Sequence, residues 1–162
     1  GYEKAMRSVQ AAQQLKLDIA AGKTNVKTAP NVPADKVFQA ILDRYRGKVV
    51  LVDVWGLGCA GCVLDSEEWL EPMKKRFEGE DVVWLNIVDE RNDIVPYTIE
   101  IARIQGEHYR LTRKQWETIG KQHGFNAIPC YFLVSKDGTY RKVNNLRGTT
   151  TFEKAIREEL AK

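Results

Sequence analysis

The chain is poor in most of what would commit a protein to metal, membrane or nucleic acid. It has three cysteines and two histidines in 162 residues. Beyond Cys59 and Cys62 there is no second closely spaced Cys or His pair: Cys130 stands alone, and His108 and His123 are far apart in sequence. A structural zinc site usually draws its four ligands from two such pairs, so a zinc reading of Cys-x-x-Cys lacks its other half. No apolar run exceeds six residues, too short for a membrane span. The 25 basic and 22 acidic residues are scattered, leaving a net charge of +3 and no single-sign field to hold nucleic acid or an anionic membrane. No signal peptide is visible, and the chain opens on Gly1 rather than methionine. That start suggests an excised mature region or an otherwise trimmed piece, so the lack of a targeting segment says nothing about a full-length precursor.

What is present is an ordinary globular composition, 43% hydrophobic and 29% charged, which suits one domain with a substantial core plus some accessory sequence. The most informative segment is Val49 to Cys62. There an apolar strand runs into a glycine-rich turn that delivers Cys59 and Cys62 to a helix start. Two cysteines three positions apart in a first helical turn can close a disulfide. The first sulfur then lies near unpaired backbone N–H groups and the positive end of the helix dipole, where a thiol ionises easily. Because the thiolate is the attacking species, Cys59 is the expected nucleophile and Cys62 the resolving thiol.

The remaining pattern places this motif in an α/β chain. Residues 2–21 have the spacing of a modest amphipathic helix, and 22–33 read as a linker or an extended wrap onto the domain. Val37, Phe38, Ile41, Leu42 and Tyr45 share a helical face before a buried strand at 48–54. A helix follows Cys62 to Phe77, with a kink expected at Pro72. A second apolar strand at 82–88 completes a βαβ unit with parallel strands, which predicts a sheet covered on both faces. Residues 94–111 are ambiguous, with a helix across 97–104 and a short strand at 108–111. Thr112 caps a helix ending at His123. Cys130 to Val134 and Thr139 to Val143 form a hairpin around Lys136-Asp137-Gly138. Thr150 and Glu153 fit a capping box that starts the last helix.

The order strand, CxxC helix, strand, helix, Ile-Pro, strand, hairpin, helix resembles the thioredoxin fold. Val52-Asp53-Val54-Trp55 before the cysteines, Ala127-Ile128-Pro129, and the Asp137-Gly138 hairpin carry the resemblance. Within that superfamily the chain is similar to the TlpA/ResA type of bacterial extracytoplasmic thiol-disulfide oxidoreductases, through Gly47 to Asp53 and Gly106 to Trp116. The resemblance covers 33–162, the expected thioredoxin-like domain, and leaves 1–32 as an N-terminal helical extension and linker. It implies a central mixed sheet flanked by helices, with an insertion between the second parallel strand and the cis-proline strand.

The resemblance further implies that Pro129 is a cis-proline facing the disulfide and that the Ile128 backbone pairs with an extended substrate. Ile-Pro alone could equally begin a strand. Asp53 interrupts an apolar strand. Burial should raise its pKa and let it exchange a proton with Cys62, although a carboxylate reaching solvent or an internal hydrogen bond would also fit. Trp55 is expected either as core beneath the redox turn or as a wall of the groove beside Cys59.

Departures from the family pattern are informative. Gly58 stands where tryptophan is common. Ala60-Gly61 replaces the common Gly-Pro, which suggests a looser turn and a couple less reducing than thioredoxin at about −270 mV. Asp65, Glu67 and Glu68 suit the helix dipole but oppose a nearby thiolate, and Val63 replaces a frequent basic residue. Cys130 reads as buried core. Were it to face the pair, three soft thiolates could hold Cu(I), so the alternative is a metal-binding or redox-silent module. A cytosolic thioredoxin-like reductase is the intermediate alternative. No Pro-x-x-x-Thr-x-x-Cys pattern surrounds Cys59, which argues against a peroxidase. The expectation is therefore a thiol-disulfide oxidoreductase, mostly reducing, with protein thiol or disulfide substrates, an upstream redox partner protein and no dissociable cofactor. Its expected site is periplasmic or otherwise extracytoplasmic in a bacterium, with a preceding segment as a possible anchor.

Overall fold

A computed structural model describes residues 1–162. Six strands form one mixed sheet in the order β1-β4-β3-β2-β5-β6. At its centre β2 (Val49–Val54) lies parallel to β3 (Val82–Asp89) and antiparallel to β5 (Cys130–Val134). All six β2 residues are buried, as its nearly continuous apolar sequence requires of a strand covered on both faces. Beyond β3 lie β4 (Glu107–Leu111) and the two-residue edge strand β1 (Val26–Lys27), both parallel, so the segment read as a linker or wrap contributes a strand. The strand β6 (Tyr140–Lys142) closes the other edge through the expected hairpin.

Side chains alternate across the sheet and divide the core. On one face Val50, Val52, Val54, Cys130 and Phe132 pack under α2 (Val37–Asp43) and α6 (Arg113–His123). On the other, Val49, Leu51, Trp84 and Leu133 pack under α4 (Glu71–Arg76) and α7 (Thr150–Leu160). A third cluster on that second face joins Trp55, Cys62 and Val88 to α5 (Ile94–Ile101), with Ala12, Leu15 and Ile19 of α1 (Tyr2–Ala20) against it. Asp53 pairs in register with Asn86 and Tyr131, and Asn86 with His108. These four make a buried polar row between the second and third clusters.

Three local expectations are modified. The helix after Cys62 runs as α3 (Ala60–Asp65), a π-helical turn at Ser66–Leu70, and then α4. Pro72 sits in the first turn of α4, where its missing N–H costs little, and the irregularity lies in the turn before it. In the ambiguous middle, α5 starts three residues earlier than read, at Ile94. The capping box at Thr150 does not form: Thr149 is the N-cap, and its hydroxyl donates to the Leu146 carbonyl. Glu153, which would have completed the box, is held by Arg76 at 3.0 Å. Thr112 and Gln115 do form a reciprocal box at α6.

Candidate functional site

The redox turn is built by the end of β2. Trp55 N–H still donates to Ile87, then the chain leaves the sheet through Gly56-Leu57-Gly58 and enters α3 with Cys59 as N-cap. Cys59 and Cys62 form a disulfide with Cα atoms 5.2 Å apart, and the Cys62 N–H donates to Cys59 Sγ at 3.1 Å. Cys59 is partly exposed and Cys62 is buried. An incoming group therefore meets Cys59 first.

Opposite the pair, Ile128–Pro129 is a cis peptide bond, and Cys59 Sγ lies 3.6 Å from the Ile128 carbonyl oxygen. Trp55, Cys59 and Ile128 line an open groove of about 450 Å³ with Arg91, Asn92 and Trp116. It continues into a depression of about 890 Å³ between α6 and the loop 124–128, where Phe125 adds an aromatic wall. Trp55 is thus both core and wall: it is 5% exposed, stacks 6.2 Å from Tyr97, and still borders the groove.

Asp53 lies on the inner side. Burial pushes its carboxyl up to about 7, with Lys74 opposing that rise and Glu71 and Asp65 adding to it. Its Oδ1 has no hydrogen-bond partner, and Asp53 and Cys62 share the wall of one small cavity. The structure thus brings Cys59, Trp55 and Ile128 together at the groove, Pro129 against Gly61 rather than in the groove lining, and Cys62 with Asp53 behind it. Cys130 is kept apart. It packs with Val52, Val54 and Phe132 on the opposite face, where burial raises its thiol pKa, so the three sulfurs do not converge.

Further residues shape the turn and the strand beside it. Arg147 ion-pairs with Asp65 and reaches the Gly61 carbonyl at 3.4 Å, while the Tyr131 hydroxyl donates to Asp65 at 2.7 Å. The Asp65 charge expected to oppose a thiolate is therefore engaged. A Cβ at Gly61 would lie 3.2 Å from Arg147 Nη2 and 3.5 Å from Pro129 Cδ, so glycine there admits the guanidinium. Asn92 Oδ1 accepts from Leu57 N–H at 2.8 Å and holds the turn to the end of β3. Asn144 bridges the strand after the cis-proline, donating to Pro129 O at 2.9 Å and accepting from Tyr131 N–H at 2.8 Å. These contacts link residues 13 to 86 positions apart, and no local motif announces them.

No family model matches the chain, and no curated protein matches it in sequence. Solved structures do match in shape. The thioredoxin domain of a thiol-disulfide oxidoreductase from Bacteroides vulgatus superposes with a TM-score of 0.61 at 23% identity, covering 71% of this chain and 84% of that one. A thiol:disulfide interchange protein from Bacteroides sp. gives 0.61 at 20% identity, covering 75% and 78%. A thioredoxin-family thiol:disulfide interchange protein from Chlorobium tepidum TLS gives 0.55 at 13% identity, covering 73% and 83%. The chain has the thioredoxin fold. Its helices include none long and apolar enough to cross a membrane.

Proposed function

We propose that the protein is a thiol-disulfide oxidoreductase that exchanges disulfides with partner proteins through Cys59 and Cys62, working mainly as a reductase of the TlpA/ResA type. The observation that carries this reading is the partly exposed Cys59 sulfur at a helix N-terminus, 3.6 Å from the Ile128 carbonyl oxygen at the groove. The Cys59 thiolate attacks a substrate disulfide and forms a mixed disulfide, releasing one substrate thiolate. Asp53 takes the proton of Cys62, whose thiolate then attacks Cys59 sulfur and releases the second substrate thiolate. Two electrons pass from the pair to the substrate, and the Cys59–Cys62 disulfide remains. Trp55 and the Ile128 backbone line the groove in which an extended peptide would lie.

In this reading residues 33–162 are the catalytic domain and 1–32 an extension docked on it. An upstream dithiol protein recharges the pair, and the site of action is outside the cytoplasm of a bacterium. Titration of the Cys59–Cys62 couple in a glutathione series, read by thiol trapping and mass spectrometry, tests the proposal. A midpoint well below about −200 mV supports a reductase. A midpoint well above it makes the protein a disulfide donor or isomerase, and the absence of a reversible couple rejects the enzyme.

A further inference from the structure

Lys74 is 1% exposed, which is rare for a lysine, and from α4 it reaches inward toward Gln105 and the Trp84 ring rather than to solvent. Its ammonium lies 2.6 Å from Glu71 Oε2 and donates to the Gln105 carbonyl at 2.9 Å. Glu71 Oε1 in turn accepts from Gln105 N–H at 2.8 Å. The pair thus sits fixed beneath the polar row of the sheet, beside Asp53 and Asn86. Glu71 and Cys62 help line the small cavity that holds Asp53, together with Ser66 and Glu100. This inner chamber measures about 20 Å³, room for about one water. On its outer side Ser66, Glu71 and Glu100 also line an open pocket of about 250 Å³. The π-helical turn at Ser66–Leu70 shapes this passage, because it breaks the regular helix between the cysteines and Glu71.

Resting on the oxidoreductase reading, we propose that Glu71 is the proton port of the redox centre, passing to solvent the proton that Asp53 takes from Cys62, with Lys74 holding it in place. The cycle balances without another reactant. The Cys62 thiol gives its proton to the Asp53 carboxylate and its electron pair to the Cys59 sulfur. Protonated Asp53 gives the proton through the chamber to Glu71, and Glu71 gives it to bulk water. In recharging, the proton returns the same way. Asp53 lines the inner chamber and not the open pocket, whereas Glu71 lines both, so the two residues are ordered from inside to outside.

The titratable groups that act on Asp53 or line its cavity are Glu71 and Lys74 from α4, Asp65 and Cys62 from α3, Glu100 from α5, and Tyr131 and, from the other face, Cys130 of β5; His108 of β4 lies one strand further out, paired with Asn86. Removing the Glu71 charge lowers the Asp53 midpoint whether or not Glu71 carries protons. The plateau rate separates the two roles. In stopped flow, the reduced protein is mixed with the aryl disulfide dithiobis(nitrobenzoate). Release of the second thionitrobenzoate reports Cys62 attack on the Cys59 mixed disulfide.

In the wild type this step should rise with pH through about 7 to a plateau. Glu71→Gln should lower the plateau roughly tenfold or more, with imidazole buffer restoring it and Glu71→Asp retaining most of it. Ser66→Val, which narrows the passage but leaves the Glu71–Lys74 pair, should lower the plateau without moving the midpoint. An unchanged plateau in both Glu71→Gln and Ser66→Val overturns the port while leaving the oxidoreductase standing. No second release in the wild type overturns both.

Discussion

The two faces of the central sheet are built from the same strands and behave as different materials. On the face under α2 and α6, Val50, Val52, Val54, Cys130 and Phe132 make a dry apolar layer. One residue along each strand, on the opposite face, Asp53, Asn86, His108 and Tyr131 form a polar row with buried Lys74 beneath it. The strand period of two therefore separates an apolar layer from a buried polar row by a single peptide unit. Cys130 shows what this does to a thiol: directly after the cis-proline, it is removed from the redox pair because its side chain points the other way.

That contrast can be broken in graded ways. Phe132→Ala, on the dry face, should cost about 3–5 kcal/mol of stability in denaturant unfolding, since it leaves a cavity among Phe38, Phe125 and Tyr140. The Cys59–Cys62 potential should hardly move. A large shift in potential would mean the faces are not independent.

Asp53→Asn should act in the opposite sense. Its carboxyl sits at about 7 instead of the ordinary 3.8, so folding favours the protonated form. That stability is fully present below about 4 and is lost as pH rises to about 7, with no further loss above. The variant should therefore gain about 2–4 kcal/mol over wild type at pH 8 and little at pH 4, measured by urea unfolding across that range. Its resolution of the mixed disulfide should slow by about a hundredfold. Equal stability changes at both pH values would remove the case for a carboxyl raised by burial.

Cys130→Ser should give the smallest change. A hydroxyl in the apolar layer costs about 1–2 kcal/mol, and the potential and resolution rate should stay as in wild type. A changed potential would put Cys130 in contact with the redox pair, against the separation of the two faces.

Much of this arrangement is legible in the sequence because the signals are local. Val49 to Val54 and Val82 to Val88 can only be strands buried on both faces, and Asp53 stands out because it interrupts one of them. The cysteine spacing and the Ile128-Pro129 dipeptide mark the two sides of the redox turn. What escapes reading depends on partners far along the chain. Lys74 lies in a Lys-Lys-Arg run that looks like a solvated helix end, and only the approach of Gln105 and Trp84 buries it. Arg147 reaches Asp65 across 82 positions. The Thr150 cap is misread for the same reason: Arg76, 77 positions away, claims the glutamate that the local rule assigns to the helix end. Strand β1 is two residues long and offers no period to detect.

Gly61 carries a consequence of its own. Where a proline ring would stiffen the turn covalently, this chain leaves the space to the Arg147 guanidinium, anchored on Asp65. Stiffness supplied by a contact between side chains is held only as long as the guanidinium stays on the buried Asp65 carboxylate, which the Tyr131 hydroxyl also engages. The rigidity of this turn is thus tied to a residue 86 positions away and is lost with that contact, in a way that a ring closed by covalent bonds could never be.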